Sequence, residues 1–196
     1  MSHVYACRHP KTSLAFDTTW IAAIFASQAF DTEQAYWLYE SLMDRLAGDL
    51  KPIAIRVTSV VLPQLLAQQD QQLHADLSRK GFDSASYGAL LVSWLPSIFA
   101  SALPFPTVLR LMDLLILEGP LLLLRAALAI LLVMSKRLIS AESKEDILRL
   151  LLQPSADELV SPESLVKVMA KISLSDKVVE GLKTKALASL ANQRRN

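Results

Sequence analysis

Two groups of residues could carry chemistry, and the first lies near the N-terminus. Cys7, Arg8 and His9 are adjacent, and a thiol beside an imidazole can act as a nucleophile and its base. Adjacent side chains in a segment without periodicity have no defined geometry, so we assign no catalysis to them. His74 follows Asp70 by four residues on a glutamine-rich helix, which is typical of a solvated surface pair.

The second group consists of charged residues inside apolar stretches. Arg110 and Asp113 are three residues apart, which favours an ion pair, or hydrogen bonds to loop backbone, over direct contact with a partner. Arg125 stands in an apolar run, where an unpaired guanidinium would be very costly. It must therefore meet a carboxylate, backbone carbonyls or water, and Glu118 and Asp113 are the candidate partners. We interpret Arg125 as a structural clamp.

Motifs for metal or nucleotide binding are missing from the sequence. Its three histidines and one cysteine cannot form a credible zinc site. No glycine-rich motif of the kind that cradles phosphate occurs. We therefore predict no cofactor, no metal and no catalytic residue in this chain.

The elements that must position the charged residues are helices. Apolar residues make up 52% of the 196 residues, with only 5 glycines and 9 prolines. Leucine and alanine dominate, a balance that favours an all-α irregular bundle over a sheet. Asp31, followed by Gln34, is a good helix cap. Pro52 opens another helix, which Pro63 should interrupt or restart.

The central helices form a wide buried face that turns sharply. Trp94 and Phe99 lie on its apolar stripe, which makes both of them core residues. Pro96 should kink or shorten their helix. Helix 107–118 then stops at Gly119, and a helix over 120–139 begins with Pro120, so we predict a tight helical hairpin.

The chain divides into three parts by pattern. Residues 1–17 lack periodicity and are expected to be an irregular lead-in. Residues 18–153 form the helical domain. Residues 154–196 form a tail of two amphipathic helices, beginning near Ser161 and Ser175.

The charge balance and the hydropathy exclude several classes of protein. A formal net charge of +1 gives no field for nucleic acid. The single Cys7 fits a reducing compartment, and no signal peptide is evident. The apolar run Leu121 to Met134 is shorter than the about 20 residues of a spanning helix and contains Arg125. A buried helix is favoured, although a membrane-embedded protein using residues 86–135 remains an alternative.

An ordered set of residues resembles the later half of a TBC domain, the helical module that activates Rab-type GTPases. The resemblance runs from Trp20 to Leu152, with Met112 in place of a usual tryptophan and Asp76 in place of a usual histidine. The signature residues that carry it are Trp37, Trp94, Phe99, Arg110, Asp113, Glu118, Gly119 and Arg125.

The resemblance implies a reaction and also a defect in it. TBC domains insert an arginine against the phosphate and orient the attacking water with a glutamine. Phe16 stands at the glutamine position, with Leu14 at the neighbouring tyrosine and Asp17 at the glycine. The arginine motif would lie some tens of residues before this segment, and Arg8 lacks its flanking aspartate. An arginine finger contributes roughly 10³–10⁵ in rate.

We therefore expect a Rab-GTPase-activating protein that is truncated or catalytically impaired. It would bind small GTPases in vesicle trafficking, in the cytoplasm or peripherally on intracellular membranes. A non-catalytic helical scaffold is the main alternative. Apolar faces that a longer domain would cover predict self-association.

Overall fold

The computed structural model describes residues 1–9, 18–29, 31–155 and 160–193, and within them the regular elements are helices, without any strand. The all-α prediction is confirmed. The helices are α1 (Ser2–Arg8), α2 (Thr19–Gln28), α3 (Thr32–Leu46), α4 (Pro52–Gln69), α5 (Gln71–Arg79), α6 (Ser84–Trp94), α7 (Phe105–Glu118), α8 (Leu121–Val133), α9 (Ser135–Ser140), α10 (Lys144–Leu152), α11 (Pro162–Met169) and α12 (Asp176–Gln193).

Side-chain caps start several of these helices where the sequence places an acceptor. Asp31 accepts a hydrogen bond from the Gln34 amide at 2.7 Å. Asp83 and Ser86 form a reciprocal capping box at the start of α6. Ser161 accepts from the Ser164 amide at 3.3 Å. Each cap satisfies an amide that has no partner within its own helix.

Helix α4 is the centre of the fold, because α5, α6, α8 and α12 all pack against it. A Cβ built on Gly88 of α6 would lie 3.8 Å from the Ser59 Cβ of α4, so these two helices approach closely. Pro63 lies inside α4 without ending it, contrary to expectation. The burial of Leu62 and Leu66 on either side of Pro63 holds the helix together across one missing backbone hydrogen bond.

Two further expectations about helix limits were wrong. Residues 2–8, expected to be irregular, form α1, because Tyr5 is buried and anchors this short helix to α3. The helix expected over 120–139 is divided at Met134 into α8 and α9. Residues 10–17, the rest of the expected lead-in, lie outside the described residues.

The C-terminal helices return to the central ones. α10 packs on α6, α11 packs on α7 and α8, and α12 packs on α4. The two tail helices begin where the sequence indicated, after Ser161 and Ser175. In the described part of the chain, no helix has the length and apolar character needed to cross a membrane.

Candidate functional site

The stretch that contains Leu14, Phe16 and Asp17 is outside the described residues, but both of its flanks are fixed to α3. On the N-terminal flank, His9 Nε2 lies 3.0 Å from Glu40 Oε1. On the C-terminal flank, the hydroxyls of Thr18 and Tyr39 lie 2.8 Å apart and are buried. The described residues on either side of this stretch therefore contact two neighbouring residues of α3.

Arg8 lies on this same side of α3. Its Nε is 3.3 Å from Glu40 Oε1, and its side chain is 51% exposed. The guanidinium carbon lies 5.1 Å from the centre of the Trp37 ring and 5.9 Å from that of Tyr36. These distances allow cation–π contacts with both rings. The charge of Arg8 is therefore directed at α3 rather than at solvent alone.

Glu40 is the carboxylate that joins these contacts. Its side chain is only 10% exposed, and it also accepts a hydrogen bond from the Tyr36 hydroxyl at 3.1 Å. The hydrogen bond from His9, with those from Tyr36 and the charge of Arg8, holds the pKa of Glu40 below its usual value. The residue therefore remains ionised at neutral pH and orders the polar side of α1.

Tyr5 makes the buried contacts between α1 and α3. Its hydroxyl donates to Asp44 Oδ1 at 2.8 Å, and its ring stacks on His9 with centroids 4.3 Å apart. Burial, followed by the hydrogen bond to Asp44, raises the pKa of Tyr5 well above its ordinary value. Tyr5 is thus a neutral donor that fixes α1 to α3.

Trp37 gives this region an exposed aromatic face. Its side chain is 48% exposed, and its indole Nε1 donates to Glu33 Oε1 at 3.3 Å. We call Arg8, Tyr36, Trp37 and Glu40 the α1–α3 surface. Tryptophan, tyrosine and arginine are the residue types most enriched in the energetic centres of protein interfaces.

The second charged group lies on α7 and α8, as two separate ion pairs. Arg110 Nη1 is 3.9 Å from Asp113 Oδ2, and both side chains are more than half exposed. Arg125 pairs with Glu118, one of its two expected partners, although its Nε is buried without a hydrogen-bond partner. The Arg125–Glu118 pair joins the two helices of the hairpin, whereas the Arg110–Asp113 pair lies within α7.

Gly119 makes the turn of this hairpin. Its φ of 87° and ψ of −172° belong to a region that is essentially restricted to glycine. Arg45 reinforces the turn from α3, because its Nη1 donates to the Ile116 carbonyl at 2.9 Å.

Trp94 and Phe99 lie in the core. Both are fully buried, and their ring centroids are 5.4 Å apart. The indole of Trp94 donates to the Leu151 carbonyl of α10 at 3.1 Å. After α6 ends at Trp94, Ile98 and Phe99 adopt positive φ values of 47° and 62°. Pro96 gave the only sequence signal of this irregular turn.

Sequence reasoning missed the contacts between α1 and α3, because they join parts of the chain that are far apart in sequence. Trp37 was recognised, but Tyr5 and Glu40 carried no periodic signal. The proximity of His9 to the acidic residues Glu40 and Asp44 becomes visible only when α1 packs on α3. Across the described residues, no three histidine, cysteine or acidic side chains are placed to hold a metal ion.

Comparison with protein families matches residues 3–139 to the Rab-GTPase-TBC domain. The match begins earlier and ends earlier than the span Trp20 to Leu152 over which the signature residues suggested it. Among curated proteins, no sequence matches this chain.

Proposed function

The chain belongs to the Rab-GTPase-TBC domain family, and we propose that it binds a Rab-type GTPase without appreciably accelerating GTP hydrolysis. We propose that the chain corresponds to the later half of the domain and lacks both the arginine and the glutamine finger motifs. The observation that carries the proposal is the α1–α3 surface. It presents the half-exposed Trp37 together with Arg8, and the resemblance gives the glutamine position to Phe16.

A phenylalanine at this position would lack the chemistry that the glutamine supplies. Its side chain has no hydrogen-bonding group, so it cannot orient the attacking water as a glutamine amide does. An arginine finger would supply positive charge to the phosphate and lower the barrier by about 4–7 kcal/mol. We propose that this chain supplies neither group.

The ion pairs of three arginines among the described residues support this proposal. Arg8 pairs with Glu40 and stacks on Trp37. Arg110 pairs with Asp113, and Arg125 pairs with Glu118. Using one of these guanidinium groups as a finger would require it to leave a carboxylate, and Arg125 would also have to leave a largely buried position.

GTPase binding does not need the finger residues. An exposed tryptophan flanked by tyrosine and arginine can supply the central contacts of an interface, which are often few. We propose that the α1–α3 surface makes these contacts. The chain would then act in vesicle trafficking as a pseudo-GAP, in the cytoplasm or peripherally on intracellular membranes.

A non-catalytic scaffold is the second candidate, favoured by the same exposed aromatic surface. A scaffold would bind the GTP-bound and the GDP-bound states of a GTPase equally well. A Rab effector or pseudo-GAP instead distinguishes the GTP-bound from the GDP-bound state.

The test is binding of a panel of Rab proteins, loaded with a non-hydrolysable GTP analogue or with GDP, to the purified chain. We expect at least one GTP-dependent complex. Trp37→Ala should weaken it about tenfold or more, because hot-spot truncations cost roughly 2 kcal/mol or above.

Leu187→Ala is the control, since Leu187 is 49% exposed on α12, which packs on α4. Equal loss in both variants would contradict the α1–α3 surface as the binding site. Nucleotide-independent binding would favour the scaffold, and no binding to any Rab would contradict the proposal.

A further inference from the structure

Helix α7 exposes an apolar face although its other side is packed against α8 and α11. Leu117 is 79% exposed, the highest exposure of any large hydrophobic side chain in the part of the chain that the structure describes. Phe105 is 49% and Ile116 is 43% exposed. These residues stand at the two ends of the helix.

The charged residues Arg110 and Asp113 stand between these apolar ends. Pro106, Arg110, Asp113 and Leu117 are spaced by four, three and four residues, so they follow one stripe along the helix. All four are exposed. We call this stripe, with Phe105 and Ile116 beside it, the α7 face.

The ion pair between Arg110 and Asp113 is weak. Its 3.9 Å separation and its exposures of 53% and 66% are those of a solvated pair that contributes little to stability. Both side chains can therefore exchange this contact for a better one at small cost.

We propose that two copies of this chain pair through the α7 face, with the two α7 helices antiparallel. In a two-fold interface, residue i of one copy meets residue j of the other, and j meets i. The antiparallel register that places Arg110 against Asp113 of the other copy also places Leu117 against Phe105 and Pro106 of the other copy. Two ion pairs then form at the centre, and apolar contacts form at both ends.

The order of the charges along the helix favours a second copy of this chain as the binding partner of the α7 face. Read in either direction, the stripe is apolar at its ends with one positive and one negative residue between them. An antiparallel copy therefore brings opposite charges together, whereas a parallel copy would bring like charges together. The α1–α3 surface has no such symmetry and stays available to a GTPase.

This pairing is independent of the proposed GTPase binding. It also gives a specific site for the self-association that was expected from uncovered apolar faces. Since Arg110, Asp113 and Leu117 are exposed, they can be changed without opening the core.

The test is the mass of the purified chain, measured by sedimentation equilibrium from about 1 to 100 μM, a range that covers weak homodimers. We expect a discrete dimer. Arg110→Glu should raise the dissociation constant at least about tenfold, because two ion pairs become two like-charge contacts. The double variant Arg110→Asp with Asp113→Arg should restore the dimer.

Leu117→Ser provides a second variant that should also weaken the dimer, and Arg56→Glu, at an exposed arginine of α4, is the control that should not. Circular dichroism and thermal melting verify that each variant is folded. A wild-type chain that stays monomeric would overturn the proposal. A dimer that neither Arg110→Glu nor Leu117→Ser weakens would also overturn it. So would a double variant, Arg110→Asp with Asp113→Arg, that stays monomeric.

Discussion

Glu40 is the residue on which the N-terminal contacts converge. Its carboxylate forms hydrogen bonds with the His9 ring and the Tyr36 hydroxyl, and an ion pair with the Arg8 guanidinium. A buried carboxylate is tolerated only when such partners replace the water it loses. The position of α1, and with it the Arg8–Trp37 pair, therefore depends on the charge of Glu40.

This dependence predicts a specific response to acid. Because the folded pKa of Glu40 is below its usual 4.5, its ionised form contributes stability above about that pH. The contribution is lost as the pH falls through the lowered folded pKa. Glu40→Gln removes it at every pH, so the gap in urea midpoint between wild type and variant should shrink as the pH is lowered from about 6 to 3.5.

Glu163→Gln, at an exposed position in the first turn of α11, is the control and should leave the urea midpoint close to that of wild type throughout. Asp76 and Asp83, whose pKa values are also lowered, are present in all three chains and cancel from the comparison. A wild-type-to-Glu40→Gln gap that is constant with pH would show that the charge of Glu40 is not what holds the cluster.

Residue types and spacing predicted some of these side chains and not others. Trp94 and Phe99 were placed in the core from a local apolar stripe, and both are buried although Phe99 lies beyond the end of α6. Arg125 was expected to meet a carboxylate, backbone carbonyls or water, and Glu118, seven residues away, is close enough in sequence to be named as a candidate. Glu40 and Tyr5 act through partners 31 and 39 residues away, and no local pattern reports such contacts.

At the scale of elements, the α7–α8 turn is set by one glycine. Gly119 has a φ of 87°, and a Cβ at this position would lie 3.6 Å from Arg45 Nη2. The backbone conformation is the main obstacle to any other residue, since the nearby guanidinium is the mobile end of a long side chain.

Gly119→Ala should therefore lower the free energy of unfolding by about 1–3 kcal/mol, the usual cost of a strained backbone conformation. Gly48→Ala is the matched control, because a Cβ added at Gly48 would meet no atom within 4 Å and its φ lies outside the left-handed region. It should be neutral or slightly stabilising. Urea unfolding of both variants measures the difference, and equal effects would contradict the role given to Gly119.

Helix starts were predictable from side-chain caps, whereas some helix limits were not. Asp31 and Ser161 act on amides three residues away, so the signal is contained in the sequence window. Pro63 was expected to interrupt α4, but long-range packing outweighs the lost hydrogen bond. α1 is a seven-residue helix that is too short to show a period, and its burial comes from α3.

At the scale of the whole molecule, helices beyond the family match complete the core. The match ends at residue 139, yet Trp94 donates to Leu151 of α10, and Thr107 donates to Val160 just before α11 at 3.0 Å. α12 covers α4 and ties Lys183 to Asp49 at 3.3 Å. The later helices therefore satisfy polar groups that the matched segment buries.

Truncation after Ser140 should consequently prevent stable folding. It leaves the indole of Trp94 and the hydroxyl of Thr107 without acceptors, at about 1–3 kcal/mol each, and uncovers apolar residues of α4, α6, α7 and α8. Circular dichroism and urea titration should show a broad, weakly cooperative transition or aggregation. A truncated chain that unfolds as sharply as the full one would contradict this account.

The central claim is that this chain engages a Rab GTPase without catalysing its reaction. Single-turnover GTP hydrolysis by a panel of Rab proteins, with and without the purified chain, tests it most directly. The account predicts acceleration below about tenfold, well short of the roughly 10³–10⁵ of an arginine finger, for a Rab that binds in the GTP state. Acceleration well above tenfold, abolished by Arg8→Lys or Arg110→Lys, would contradict it and reveal a substitute finger.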